Sequence, residues 1–344
     1  NLDERQVFAI DQFLMQGGSV ILVASPYHVD LGGQAISARK QPTGLEEWLD
    51  NAGLKLEETL VLDPQNTPFP IPVQRQVMGL VVEEIQTLAY PYFPDIRSDG
   101  MDEETGIASP LGQITLNWAS PILVDQERNQ DRRLIELLRS SEASWTDPGE
   151  DIQPDFQAYP DYGFARGEVT GPRTLAVAVE GRFRSWFAGK PSPLLTEATP
   201  QDDAPAEPDA QDSEPEEEKP PVVSGVVESS PASAKLILVG SASFVTDTAI
   251  SLATEATRTV YTKPLELIQN AVDWSLEDRA LLALRGRGQY SRLLVPLDRG
   301  EQMFWEYLNY ALALGGLLLV YGLYRRSRQK RQRHYQALMS AGRT

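Results

Sequence analysis

The chain has 344 residues, a net charge of −18, no cysteine and two histidines. Without cysteine there are no disulfides, no thiol nucleophile and no thiolate metal ligands, and two histidines offer little to zinc. The acidic charge repels phosphate, which disfavours nucleic acid as a partner.

The first elements along the chain are a helix and a strand. Residues 1–18 have a helical apolar period that includes Val7, Phe8 and Leu14, and Gly17-Gly18 follows as a stop signal. Residues 19–24 form a short, continuous apolar run, typical of a strand covered on both faces of a parallel sheet. The helix begins abruptly and without Met, so we expect the first domain, residues 1–195, to be truncated at its N-terminus.

Alternating elements follow and indicate an α/β fold. Residues 43–53 predict a helix with Thr43 as N-cap and Glu46 in the capping-box position, and Leu60-Val61-Leu62 predicts a strand. Further apolar runs predict strands at 122–124 and 174–180, and we predict a short helix at 131–140. The order favours an open, mostly parallel sheet with flanking helices, of the flavodoxin type.

Composition changes sharply at residues 196–233, which are rich in Pro, Asp, Glu, Ala and Ser. This segment has almost nothing apolar to bury, so we predict a disordered loop, with a solvating linker favoured over a cation-binding or partner-binding role. Residues 234–300 then complete the domain, with a strand at 235–240, helices at 264–271 and 276–284, and an extended piece at 291–297.

Residues 303–324 predict a transmembrane helix. The 18 residues from Tyr307 to Tyr324 contain no charge and extend roughly 27 Å, close to the thickness of the hydrocarbon core of a bilayer. Aromatic rings that favour headgroup layers stand at both ends of this stretch: Trp305, Tyr307, Tyr310, Tyr321 and Tyr324. A buried core helix is the alternative.

The tail after this helix, residues 325–344, carries 7 Lys or Arg, beginning with Arg325 and Arg326, and no Asp or Glu. Those 7 positive charges leave residues 1–324 at −25. The positive-inside rule therefore predicts a cytoplasmic C-terminus, an extracytoplasmic domain and an inner (cytoplasmic) membrane location with a single visible pass.

No catalytic centre is predicted, and no cofactor or metal is expected. A serine triad would have only His28 as a base in the domain, and Gly189-Lys190 lacks the pattern of a phosphate loop. Polar residues after predicted strands, together with an aromatic loop, are candidates for ligand binding, although turn formation is the favoured explanation for the polar ones. These candidates are Ser25, Asp30, Asp63, Gln65, Asn66, Tyr90 and Tyr92.

Several segments together resemble a known family, the GldG-like auxiliary components of ABC transporters, typified by gliding motility. The resemblance lies in residues 7–26, 45–53, 61–66, 236–244 and in the Asn270-Ala271-Val272-Asp273-Trp274 run with residues 281–287. It implies a bacterial, extracytoplasmic (periplasmic) α/β domain, distantly like class I glutamine amidotransferases, and an ABC permease and its ATPase as partners. Many relatives have Asp-Pro where this chain has Ser25-Pro26, which weakens any ligand role there.

The expected function is a non-enzymatic, membrane-anchored accessory subunit whose outer domain binds a partner protein or an envelope polymer. Two alternatives stay open. A membrane-anchored envelope hydrolase would need two carboxylates that converge in a pocket, and a purely structural tether would need no concave site.

Overall fold

A computed structural model of the chain describes residues 1–31, 36–77, 80–149, 151–194, 225–257, 259–276 and 299–341. For residues 72–77, 80–84, 299, 301–302 and 329–341 it describes the backbone alone. The chain divides into two units, Asn1–Tyr290 and Ser291–Thr344, and each is described by itself.

The described helices and strands are numbered here in chain order. The helices are α1 (Glu4–Met15), α2 (Glu46–Asn51), α3 (Gln126–Asn129), α4 (Asp247–Thr257), α5 (Lys263–Ser275) and α6 (Arg299–Ala341). The strands are β1 (Ser19–Val23), β2 (Tyr27–Asp30), β3 (Ser37–Lys40), β4 (Leu54–Leu56), β5 (Leu60–Leu62), β6 (Phe69–Val77), β7 (Leu80–Leu88), β8 (Asp95–Arg97), β9 (Gln113–Thr115), β10 (Ile122–Val124), β11 (Arg133–Arg139), β12 (Trp145–Asp147), β13 (Thr174–Glu180) and β14 (Lys235–Val239).

The core of the first unit is a four-stranded sheet in the order β1-β14-β13-β11. All five residues of β14 and the five central residues of β13 are buried, and all of these except Lys235 are apolar, as expected for strands covered on both faces. Alternate side chains of these strands reach opposite faces. Leu236 and Leu238 join α1 and α2 on one face, and Ile237 and Val239 join α5 on the other. Each such fully buried side chain contributes roughly 1.5–3 kcal/mol to stability.

The direction of the strands differs from the sequence-based prediction. Only β1 and β14 are parallel, whereas β13 runs antiparallel to both of its neighbours. The remaining strands form two-stranded antiparallel pairs, so the mostly parallel, flavodoxin-like sheet is not confirmed, although a mixed α/β fold is. Apolar runs reveal that a segment is buried, but they carry no information about the direction of the partner strand.

The helix predicted at residues 131–140 was wrong. This segment contains β11, which pairs antiparallel with β13 through two irregularities in register. Its Ile135, Leu137 and Leu138 are buried in the sheet core. Irregular register breaks the strict alternation of buried and exposed side chains in a strand. The spacing of the apolar residues in this segment therefore fits a helical period as well.

The other predicted elements are confirmed where the structure describes them. α1, α2 and α5 are helices, and the runs at 19–24, 60–62, 122–124, 174–180 and 235–240 contain β1, β5, β10, β13 and β14. The predicted N-cap of α2 was wrong: Leu45, not Thr43, is the N-cap residue, and no side chain caps the helix, although Glu46 Oε1 does accept hydrogen bonds from the Thr43 N–H and hydroxyl group. β1, however, is an edge strand whose residues are mostly half-buried.

Three predictions fall largely or wholly outside the described residues. These are the helix at 276–284, the extended piece at 291–297 and most of the acidic loop at 196–233. Residues 225–233 of that loop are described, and they contact the rest of the domain: the Val227 N–H donates to Gln12 Oε1 at 2.7 Å, and the Phe183 N–H donates to Ser230 Oγ at 2.8 Å.

The second unit contains α6, one helix that is long and apolar enough to cross a membrane. The candidate span is Met303–Arg328, 26 residues with none of its apolar window buried within the protein. Trp305, Tyr307, Tyr310, Tyr321 and Tyr324 are each more than half exposed on it. A core helix would bury one side, so the membrane prediction is supported over the core-helix alternative.

A buried carboxylate, Asp11, links α1 to two other parts of the first unit. Asp11 Oδ1 accepts from Trp48 Nε1 at 3.0 Å and from the Trp186 N–H at 3.2 Å. Asp11 Oδ2 accepts from Ser185 Oγ at 2.6 Å and from Gln12 Nε2 at 2.9 Å. Asp11 is fully buried, so these four donors replace the water that would hydrogen-bond to its side chain in the unfolded chain.

We expect Asp11→Ala to lower the free energy of unfolding by about 3 kcal/mol or more, because it leaves several buried donors without an acceptor. Denaturant unfolding followed by tryptophan fluorescence measures this. The control is Asp3→Ala at the N-cap of the same helix. It should lower the free energy of unfolding by only about 1 kcal/mol, which is typical for the loss of an N-cap side chain. Equal losses in the two variants would contradict this role of Asp11.

Candidate functional site

Asp63, Gln65 and Asn66, three of the predicted ligand residues, form a turn directly after β5. Asp63 is fully buried; its Oδ1 accepts from the Gln65 N–H at 2.8 Å and from Ser141 Oγ at 2.7 Å. Its Oδ2 accepts from the Ser141 N–H at 2.8 Å. Asn66 Oδ1 accepts from the Tyr90 N–H at 3.0 Å, and its amide nitrogen donates to backbone oxygens of the same turn. In this arrangement the polar atoms join chain segments to one another.

The aromatic residues Tyr90 and Tyr92 lie close to this turn but are buried. The Tyr90 hydroxyl donates to the Ile152 carbonyl oxygen at 2.8 Å and accepts from Trp118 Nε1 at 3.3 Å. The Tyr92 hydroxyl donates to Asp147 Oδ2 at 3.1 Å. Burial raises the pKa of both phenols, and their rings pack edge-on against other aromatics. Neither ring forms an exposed stacking surface.

Ser25 and Asp30, the other two predicted ligand residues, lie at β2. Ser25 Oγ accepts from the Tyr27 N–H at 3.1 Å in the turn between β1 and β2. Asp30 is exposed at the end of β2, opposite Ser37 of β3. The structure thus brings Asp63, Gln65, Asn66, Tyr90 and Tyr92 into one neighbourhood, but it places them largely within the protein.

The carboxyl end of β14, where open α/β sheets commonly bind ligands, is covered by the chain itself. The Ser120 N–H donates to the Gly240 carbonyl oxygen at 2.7 Å, and the Ser241 hydroxyl donates to the Asn117 carbonyl oxygen. A Cβ at Gly240 would lie 2.2 Å from the Ser120 carbonyl oxygen, so only glycine permits this close approach. Trp118, in the same covering segment, has φ 49°.

A second buried carboxylate, Asp95, lies near Asp63. Its Oδ2 is 3.2 Å from Arg97 Nε, whereas its Oδ1 is buried without a hydrogen-bond partner. Burial raises the pKa of Asp95; Arg97 opposes this, and the charge of Asp63 adds to it. Burial likewise raises the pKa of Asp63 despite its hydrogen bonds from Ser141. Burying these two acids therefore costs stability at neutral pH.

One concave surface of the first unit, which we call the α2 cleft, was not predicted. It has a volume of about 990 Å³ and lies between α2 and the strands β3 and β4. Three basic residues, Lys40, Lys55 and Arg128, line it together with Trp186. Five acidic residues complete the charged lining: Glu46, Glu47, Asp50, Glu57 and Glu58. The density of charge in residues 40–58 is the sequence signal that could have indicated this surface.

The charges of the α2 cleft are arranged for polar contacts. Lys40 Nζ lies 3.1 Å from Glu58 Oε2, and Arg128 Nη1 lies 3.1 Å from Asp50 Oδ2. Burial alone would raise the pKa of Glu46, but hydrogen bonds from its own N–H, Thr43 and Gly44 outweigh burial and lower it. Glu46 is thus an ionised acceptor at neutral pH. Among the described residues no group of three or more His, Asp or Glu could hold a metal ion.

We expect the stability of the wild type to fall relative to Asp95→Asn as the pH rises from about 4 to about 7. The pKa of Asp95 is raised above its ordinary 3.8. Above pH 3.8 the folded protein therefore binds a proton that the unfolded chain has released, and stability declines as pH passes through the folded-state pKa. The asparagine variant lacks this ionisation. Unfolding curves at several pH values test the difference, and a difference that is constant or grows in favour of the wild type would contradict it.

Comparison with known proteins adds a family. No curated protein and no solved structure matches the chain. The family model described as an ABC-type uncharacterized transport system matches residues 1–271, which is most of the chain and nearly all of the first unit. The matched range therefore includes residues on both sides of the acidic loop at 196–233. The chain belongs to the family of auxiliary components of ABC-type uncharacterized transport systems.

Proposed function

We propose that this protein is a non-enzymatic, GldG-type accessory subunit of an ABC transporter, held in the inner (cytoplasmic) membrane of a bacterium by α6. Its first unit lies outside the cytoplasm and binds a partner protein or an envelope polymer. The observation that carries the proposal is a 26-residue candidate membrane span, whose apolar window is unburied within the protein, in a chain of an ABC transport family.

The charge distribution supports this orientation. Arg325, Arg326 and Arg328 follow the aromatic end of the apolar stretch on the same helix, whereas residues 1–324 carry a net charge of −25 once the 7 positive charges of the tail are set aside. Positive residues next to a membrane helix are retained on the cytoplasmic side. The acidic unit then faces the opposite side of the membrane.

The surface of α6 supports contact with a permease. Its apolar residues face outward in every direction, and Gly315 and Gly322, seven residues apart, lie on one side of the helix. Apart from the neighbouring residues and backbone of α6 itself, a Cβ at either glycine would meet no described atom within 4 Å. Small residues allow a neighbouring membrane helix to approach closely. In this proposal that neighbour belongs to the permease, and the ATPase lies on the side of the basic tail.

The chemistry of the first unit supports binding over catalysis. Glu46, the α2-cleft carboxylate with a shifted pKa, is shifted downward and so is a poor proton donor at neutral pH. The two acids with raised pKa values, Asp63 and Asp95, are not part of the cleft lining. Paired charges beside the Trp186 ring suit recognition of a polar partner or polymer, and we propose the α2 cleft as that surface.

The proposed topology is tested by cysteine labelling, which the cysteine-free sequence makes specific. Ala158 and Ser327 are both exposed. We expect Ala158→Cys to react with a membrane-impermeant maleimide in spheroplasts, and Ser327→Cys to react only after the membrane is permeabilised. The unsubstituted chain is the control and should not react. The reverse pattern would contradict the orientation.

The proposed partnership is tested by purification in mild detergent at native expression. We expect the permease and ATPase to accompany the wild type, and Gly315→Leu with Gly322→Leu to reduce their recovery by more than about tenfold by blocking close helix contact. The control, Ala313→Leu with Val320→Leu, enlarges residues with the same spacing on the opposite side of α6 and should retain both partners. If neither partner accompanies the wild type, the subunit hypothesis fails.

A further inference from the structure

A second concave surface of the first unit carries three arginines that form no ion pair with any residue that the structure describes. It has a volume of about 910 Å³, and we call it the arginine cleft. Arg132, Arg182 and Arg184 line it, from the start of β11 and from the segment after β13. Such a concentration of positive groups is unexpected in a chain with a net charge of −18.

The guanidinium of Arg132 is held in a fixed position. Its Nε donates to the Arg182 carbonyl oxygen at 3.0 Å, and its Nη1 donates to the Ala52 carbonyl oxygen at 2.7 Å and to Asn129 Oδ1 at 3.1 Å. Its Cζ lies 4.4 Å above the ring of Phe183. All three acceptors are neutral, and within the described part of the chain Nη2 has no hydrogen-bond partner. Arg132 is thus an oriented cation without a counter-ion.

The backbone around Arg132 is adapted to this position. Gly181 has φ 150°, and a Cβ there would lie 3.0–3.2 Å from Arg132 atoms. The missing side chain allows the segment after β13 to wrap closely around the Arg132 side chain. Partial burial lowers the pKa of Arg132. An anion bound beside it would offset this loss of solvation.

Arg182 and Arg184 add two exposed charges to the fixed one. Phe183 between them is buried, whereas both arginines are exposed, so their alternation places them on the same outer side of the segment. Among the described residues neither arginine has an ion pair. Both are therefore available to a ligand.

The acidic residues of the cleft limit the size of the ligand. Arg133 lies 3.8 Å from Glu180 and 3.4 Å from Glu104, and so is already neutralised. Asp131 and Glu228 also line the cleft and oppose the three remaining arginines. The small positive surplus suits one compact anionic group and disfavours a long polyanion.

We infer that the arginine cleft binds a phosphate group, either free in a small molecule or on a lipid headgroup. A phosphate has several oxygens for the forked N–H donors of neighbouring arginines, which a carboxylate with two oxygens matches less fully. This inference does not depend on the association with a permease, because the cleft lies within the first unit and is tested on the purified chain.

The test is isothermal titration of inorganic pyrophosphate into the full chain held in phosphatidylcholine nanodiscs. We expect saturable binding that weakens at high salt. Arg182→Glu with Arg184→Glu should weaken binding at least tenfold. The matched control, Arg39→Glu with Arg166→Glu, changes the net charge equally at exposed arginines elsewhere and should bind within about twofold of the wild type.

Flotation of the same nanodiscs with phosphatidylcholine vesicles, with and without phosphatidylglycerol, identifies the source of the phosphate. Pyrophosphate binding alone supports a soluble ligand. Additional flotation that requires both phosphatidylglycerol and the two arginines supports a lipid headgroup. The inference is overturned if the wild type binds neither probe, or if the arginine-cleft and control variants bind equally.

Discussion

The removal of apolar side chains from water organises this protein, and it does so in two separate ways. In the first unit, β13 and β14 bury their residues between α1 and α2 on one face and α5 on the other. In the second unit, the apolar window of α6 is not buried within the protein, which is consistent with burial in a membrane. The fold of the domain and its proposed location follow from the same physical constraint.

Buried carboxylates then determine how the loops of the first unit are held. Asp11 and Asp63 each accept several hydrogen bonds from distant segments, including Ser185 and Ser141. Asp95 is satisfied on only one oxygen. Because these acids are enclosed and engaged with protein atoms, they support the surface and do not form it. The exposed charges of the α2 cleft and the arginine cleft are the groups that can meet another molecule.

The elements that sequence reasoning identified are those whose signal is local. The apolar run of β14 at 236–239 and the charge-free stretch of α6 depend only on neighbouring residues. The antiparallel direction of β13 depends on a partner distant in the chain, and β11 was mistaken for a helix because its irregular pairing with β13 hides the period of a strand. Neither property is present in a local pattern.

The candidate site shows the same division. Asp63, Gln65 and Asn66 were ambiguous between ligand binding and turn formation, and the structure shows the hydrogen bonds of a turn. Tyr90 and Tyr92 have a sequence that suits an exposed aromatic loop, but only tertiary packing decides that they are enclosed. Both clefts join segments far apart in the chain and so could not be assembled from sequence: the α2 cleft includes Lys40 and Trp186, and the arginine cleft includes Arg132 and Glu228.

The central claim is that α6 lies against an ABC permease within the membrane. Site-specific photo-crosslinking from Leu319, in the middle of the apolar stretch, tests it most directly in intact cells at native expression. A photoreactive residue at this position should form an adduct whose peptides, identified by mass spectrometry, come from a permease membrane helix. Adducts only with lipid, or only with a second copy of this chain, would contradict the account.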